Sequence, residues 1–199
     1  MSSRPFFLLT ACLFVLTIAM SLYVWQLHKN AETVSPMLNS PPRAVAPPGT
    51  GPAKPATLWI AYDDPGVLRT NPVSLPLSSE RQRRAAELLR TLLNIYSAKD
   101  SPHRLPSTAE VHSVYFVDPG LVVVDVNSAL ADGQTSGVLA EELTVTSFVQ
   151  TLTANQPGIA RVKILVDGKE RSTLAGHVDL SGIYDVDQVS SLAKQLSPQ

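Results

Sequence analysis

Residues 6–27 read FFLLTACLFVLTIAMSLYVWQL, 22 residues without one Asp, Glu, Lys or Arg. As a helix such a run rises about 1.5 Å per residue and reaches roughly 33 Å, close to the ~30 Å hydrocarbon core of a bilayer. Arg4 precedes it, and His28 and Lys29 follow it. Tyr23 and Trp25 stand near its end, where amphipathic rings favour the membrane interface. A cleaved secretory signal has an apolar region of only roughly 7–15 residues and a small-x-small site. Here the run ends in Tyr-Val-Trp-Gln-Leu-His, without such a site.

Leu9-Thr10-Ala11-Cys12 resembles a bacterial lipobox, yet the apolar run continues well past Cys12. An uncleaved signal anchor over residues 1–30 accounts for the whole run, and a lipoprotein modified at Cys12 is the alternative. The anchor reading places the chain in the cytoplasmic membrane as a single-pass protein, with the bulk of it on the extracytoplasmic side. Residues 31–56 then form a linker. Seven prolines fall between Ser35 and Ala56, with few bulky apolar residues. Proline fixes φ and removes donors, so an extended spacer is expected there.

Sixteen Lys and Arg face seventeen Asp and Glu, a formal charge of -1. That balance gives no electrostatic footprint for nucleic acid. The single Cys excludes an intramolecular disulfide framework and a CxxC redox pair.

From Thr57 onward the pattern becomes that of a folded domain, 57–185, followed by a tail, 186–199, that includes a short helix. Leu58 to Tyr62 reads as a strand, ended by Asp63-Asp64-Pro65-Gly66. A loop with Pro72 and Pro76 leads to a helix that starts at Ser79, where Ser79 and Gln82 fit a capping box. Ala85, Leu88, Leu89, Leu92 and Tyr96 form its buried face. Val111–Val117 and Leu121–Val126 read as a hairpin, with Val122, Val124 and Val126 on one face and Asp125 on the other. A second helix spans Val138 to Thr153, with Leu139, Leu143, Val145, Val149 and Leu152 on its apolar side. Arg161 to Val166 is a strand that turns at Asp167-Gly168. A last extended piece runs from Leu174 to Val178. The fold class expected is α+β, a small mixed sheet in β-α-β-β-α-β order with two helices packed on one face.

Several of these pieces, in this order, resemble the GerMN family, the sporulation and spore germination domain. They are Leu58-Trp59-Ile60-Ala61-Tyr62, Leu105-Pro106 before Val111, the Val122–Val126 strand and Glu141-Glu142-Leu143 with Thr151-Leu152. The most specific is Val162–Lys169 followed by Leu174-Ala175-Gly176-His177-Val178-Asp179-Leu180. The resemblance covers roughly Thr57 to Gly182. It implies a membrane-tethered envelope module with a fold similar to ring-building motifs, and no enzymatic activity. The motif positions it picks out, for structure or interaction, are Asp125, Thr151, Leu152, Asp167, Gly168, Gly176, His177 and Asp179.

Catalytic signatures are sparse. His28, His103, His112 and His177 form neither HxH nor HxxxH, and no GxSxG, SxxK, Walker A or GxGxxG pattern occurs. No catalytic residue, metal ligand or cofactor is expected. His177 and Asp179 would share a face if their segment were a strand, which admits a polar or proton-transfer pair. Arg81, Arg83 and Arg84 crowd the start of the first helix, interleaved with Glu80 and Glu87. The expected function is a protein-interaction or assembly module of the bacterial cell envelope, through self-association or an envelope partner. The alternative is an envelope enzyme or cell-wall ligand binder using His177, Asp179 and Asp125.

Overall fold

In a computed structural model the described residues are 20–21, 53–117 and 119–197. The chain divides into two units, 1–44 and 45–199, and the account below concerns the second. The apolar run at 6–27 lies outside the described residues except for Met20 and Ser21, which are helical. Among the described residues no helix is long and apolar enough to cross a membrane.

The fold is α+β, with two sheets and four helices. Strand β1 (Ala53–Tyr62) pairs antiparallel with β2 (Val67–Pro76) in a two-stranded ribbon. Helix α1 (Arg81–Tyr96) follows, then the hairpin β3 (Val111–Val117) and β4 (Leu121–Val126). Helices α2 (Ser128–Gly133) and α3 (Val138–Asn155) lead to β5 (Arg161–Val166), which lies parallel to β4. A two-residue strand β6 (Tyr184–Asp185) and helix α4 (Val186–Gln195) close the domain. The second sheet runs β3-β4-β5-β6. Its inner face is made by Val122, Val124, Val126, Val162 and Ile164, all buried.

The segment expected to be a loop around Pro72 and Pro76 is strand β2. Its prolines fit because of where they fall in the register. The Thr57 and Trp59 amides point away from β2, so residues opposite odd-numbered β1 positions make no ladder bond. Pro72 faces Thr57 and Pro76 faces Ala53, while Pro55 sits at another such position. All three prolines therefore occupy sites where no ladder N–H is needed. The strand also takes in residues 53–56, which composition had assigned to the linker.

The single expected sheet is two because the second edge of β1 is closed by side chains. The Thr57 amide donates to Asn155 Oδ1 at 2.9 Å, and Asn155 Nδ2 donates to the Thr57 carbonyl at 2.7 Å. Trp59 N–H donates to Thr151 Oγ1 at 2.9 Å, and Ser147 Oγ donates to the Trp59 carbonyl at 2.7 Å. Ala61 N–H donates to the Tyr96 hydroxyl at 2.8 Å, which lies 2.6 Å from Ser147 Oγ. Asp63 N–H donates to the Pro102 carbonyl at 2.9 Å. Ser147, Thr151 and Asn155 recur every four residues, one above the other on α3. They stand where a third strand would.

Other details differ from the sequence expectation. The helix α1 N-cap is Glu80 without a side-chain cap bond, so the Ser79–Gln82 box does not form. Ser78 takes over, its hydroxyl accepting from Glu80 N–H and its amide donating to Glu87 Oε2. Helix α2 was not anticipated, and Asn127 caps it by accepting from Leu130 N–H. The stretch 174–178 is a tight turn rather than a strand, because Leu174 N–H donates to the Val178 carbonyl at 2.9 Å around Gly176 at φ +120°. The C-terminal helix is part of the domain. Asp185 caps it, Val189 and Ala193 are buried, and Gln150 Nε2 donates to Ser190 Oγ.

Replacing Thr151 by Val keeps its shape but leaves Trp59 N–H without an acceptor. We expect a loss of about 1–3 kcal/mol in unfolding free energy, read by urea denaturation of the purified chain. Thr153, whose hydroxyl bonds only carbonyls of its own helix, is the control. Thr153→Ala should stay within about 0.5 kcal/mol, and equal losses would show that the β1 edge is not what Thr151 supports.

Candidate functional site

The polar residues that sequence singled out fall into separate clusters. Asp125 lies beside the turn after β5, where its Oδ1 accepts from Gly168 N–H at 2.7 Å. Asp167 and Gly168 take positive φ, 51° and 72°, so Asp167-Gly168-Lys169 is a tight turn. His112 Nδ1 is 3.7 Å from Asp125 and 4.0 Å from Asp167. Desolvation raises the Asp125 carboxyl, against the lowering effect of the Gly168 amide and His112. Among the described residues no group of three or more His, Cys, Asp or Glu is placed to hold a metal ion.

Thr151 and Leu152 are fully buried; Thr151 serves the β1 edge. The Arg cluster disperses. Arg81 lies 4.0 Å over the Phe116 ring and donates to the Pro157 carbonyl, while Arg83 pairs with Glu80.

His177 and Asp179 do not pair. Asp179 Oδ1 accepts from the amide and hydroxyl of Ser181 at 2.7 and 2.6 Å, which lowers its carboxyl below the ordinary value. His177 turns the other way, its Nδ1 lying 2.9 Å from Glu141 Oε1. A carboxylate only accepts, so Nδ1 carries the proton.

Glu141 is the residue that the sequence reading left without a role. It is fully buried on α3. Its Oε2 accepts the amides of Ala175, His177 and Val178 at 3.1, 3.0 and 2.8 Å. Its Oε1 accepts from Gly137 N–H at 3.2 Å and from His177. Burial pushes the carboxyl up, but the Val178 amide, the His177 ring and the Ala175 and His177 amides outweigh it and bring it down to about 2. One buried anion thus replaces a strand ladder in fixing the 174–178 turn.

A second network links the exposed Asp63 to the buried His103 and Thr144. His103 Nδ1 is 2.6 Å from Asp63 Oδ1, and Nε2 is 2.7 Å from Thr144 Oγ1. Acid, imidazole and hydroxyl are in the order of a hydrolase triad. Yet Thr144 is 1 % exposed and Tyr96 packs edge-on against the imidazole at 4.9 Å, so no substrate carbon reaches the hydroxyl. Burial lowers the His103 pKa, against the pull of Asp63. The network ties the β1–β2 turn, the loop after α1 and α3 together.

His177 and Asp179 nevertheless share one feature of the surface. They line a groove of about 260 Å³ between the first half of α3, helix α4 and residues 177–184. Val145 and Val189, both almost fully buried, form part of its wall, and Val138 stands at its margin with 55 % exposure. Leu139, expected on the buried side of its helix, is 45 % exposed. Position 139 belongs to the first turn of α3, beyond the stretch 143–152 that other elements enclose.

Glu141→Gln leaves one amide oxygen facing donors that now fill two, and a cost of about 2–3 kcal/mol is expected. The depressed carboxyl also sets an acid limb. Its contribution is present above the ordinary value of 4.5 and is lost as pH falls toward about 2. Unfolding midpoints between those pH values should fall for the wild type and flatten in Glu141→Gln. An unchanged slope would remove Glu141 as the titrating group.

Among curated proteins none matches this chain. Solved structures are similar to it, the following three among them. A structure of the tandem GerMN domains of the sporulation protein GerM from Bacillus subtilis shares 18% identity at a TM-score of 0.51, covering 68% of this chain and 47% of that one. The first GerMN domain of the same protein shares 18% identity at 0.47, over 64% and 92%. A putative lipoprotein from Clostridium perfringens shares 15% identity at 0.43, over 74% and 97%. The family model Germane, described as sporulation and spore germination, matches residues 59–172. That stretch runs from the end of β1 through β5 and stops just before the Glu141-bound turn, and the chain belongs to this family.

Proposed function

We propose that this chain is a membrane-tethered extracytoplasmic module of the cell envelope that acts through protein contact rather than catalysis. The observation that carries the reading is how the polar side chains of the domain are used. Ser147, Thr151 and Asn155 close the β1 edge, His103 and Thr144 join buried segments, and Glu141 holds a turn. The hydroxyl in the triad-like set is buried beyond substrate reach.

What the surface offers instead is apolar. Between residues 53 and 197 the described large hydrophobics left exposed are Val117, Val138, Leu139 and Ile183. Of these, Val138 lines the groove, Ile183 precedes the lining residue Tyr184, and Leu139 sits over Gly66 of the β1–β2 turn. Membership of a family described by sporulation and spore germination agrees with an envelope role without naming a reaction. The tethering half of the proposal rests on the uncharged run 6–27 and the proline-rich stretch after it.

The competing reading, an enzyme or wall-ligand site built from His177, Asp179 and Asp125, lacks a shared centre. No hydrogen bond or ion pair among the described residues joins Asp125 to the other two.

Deleting residues 1–30 should move the chain from the membrane to the soluble fraction. Amine- and carboxyl-directed crosslinking of membranes holding the full chain should give a discrete higher-mass adduct. A truncated chain that stays with the membrane overturns the tether. Absence of any adduct, together with a monomer in light scattering at all concentrations, overturns the contact role.

A further inference from the structure

The groove beside His177 has a chemistry that narrows its occupant. Its floor is carbon-rich because the nearby polar groups are already engaged. The Tyr184 hydroxyl donates to the Asp179 carbonyl, and His177 Nδ1 is held by the buried Glu141. Among the described residues its charged lining groups of fixed sign are Glu142 and Asp179, both acidic, with no Lys or Arg beside them in the lining. The Ser181 amide and hydroxyl keep Asp179 ionised. About 260 Å³ falls below the roughly 300–1,000 Å³ of small-molecule pockets, a size suited to anchoring side chains.

Two occupants fit badly. The anionic face of a bilayer would meet Glu142 and Asp179 as like charge. Two copies meeting groove to groove about a twofold axis would place acid against acid, since an isologous contact repeats the same patch on both sides.

We infer that the groove between α3 and α4 takes an amphipathic segment of another envelope protein, one that seats apolar side chains on Val145 and Val189 and sets Lys or Arg against Glu142 and Asp179. This rests on the protein-contact reading above and specifies its partner. Val138 then lies at the margin, where it extends the apolar contact beyond the groove itself. Glu141 enters indirectly, because its bonds to Ala175, His177 and Val178 hold the wall that carries Asp179.

The test uses the full chain in its native membrane, with photoreactive benzoylphenylalanine placed singly at Val138, Leu192, Asn94 or Asn71. The first two line the groove, and the last two are exposed positions on α1 and β2. Adducts are expected from Val138 and Leu192. Sequencing of the captured peptide should show Lys or Arg three or four residues from apolar positions. Glu142→Gln with Asp179→Asn, confirmed folded by circular dichroism, should lower the adduct yield about five-fold through loss of two rim charge pairs.

Adducts from Asn94 or Asn71 alone overturn the groove assignment and leave the contact role standing. No adduct at any of the four positions counts against both. Capture of lipid, of a second copy of this chain or of an acidic segment overturns the inference, and so does a yield insensitive to the double substitution.

Discussion

Strand β1 has a strand partner on one side only, and α3 closes the other with Asn155, Thr151 and Ser147. A buried strand edge must satisfy its amides and carbonyls, because an unpaired polar backbone group costs about as much as a lost hydrogen bond. Side chains perform here what a third strand performs in a continuous sheet. The consequence is an architecture of a ribbon and a separate four-stranded sheet, with α3 closing the ribbon's free edge. The helix is enclosed almost all round from 143 to 152, which explains why it buries Thr and Ser among Leu and Val.

The same helix shapes the surface proposed for partner contact. One turn ahead of the β1 contacts, Thr144 meets His103; ahead of that, Glu141 gathers the amides of the 174–178 turn. A buried carboxylate is costly unless several donors surround it, and here they do. The turn it holds carries His177 into the wall of the groove, with Asp179 just beyond. An acid-lined apolar groove is therefore a by-product of how a helix satisfies a loop, and it is well suited to hold a partner's side chains.

The matched stretch 59–172 contains the end of β1, α3 and the Asp125–Gly168 latch, all of them structural. Fold similarity by itself assigns no chemistry. Residues with catalytic-looking neighbours, His103 and Thr144, are walled in, while the groove is apolar and acidic.

Much of the fold was legible in the sequence. Strand periodicity gave Val122, Val124 and Val126 their common face, helical spacing gave α1 its buried side, and Asp-Gly gave the turn after β5. These follow from local geometry, which repeats every 2 or 3.6 residues and shows in composition. Strand β2 was not legible, because whether a proline breaks a strand depends on which edge its missing N–H would face. Leu139 was misplaced because periodicity gives a helix its apolar side but not where its neighbours stop. Glu141, Ser147 and Asn155 look like ordinary polar helix positions until the turn and the strand they serve, 34 to 98 residues away in sequence, are brought beside them. The one available signal was the four-residue recurrence of Ser147, Thr151 and Asn155 inside an apolar helix. Sequence alone determined most of the local elements, β2 and α2 excepted, and the family; only tertiary structure decided which polar groups are spent inside and which surface remains, because hydrogen-bond satisfaction is settled between distant segments.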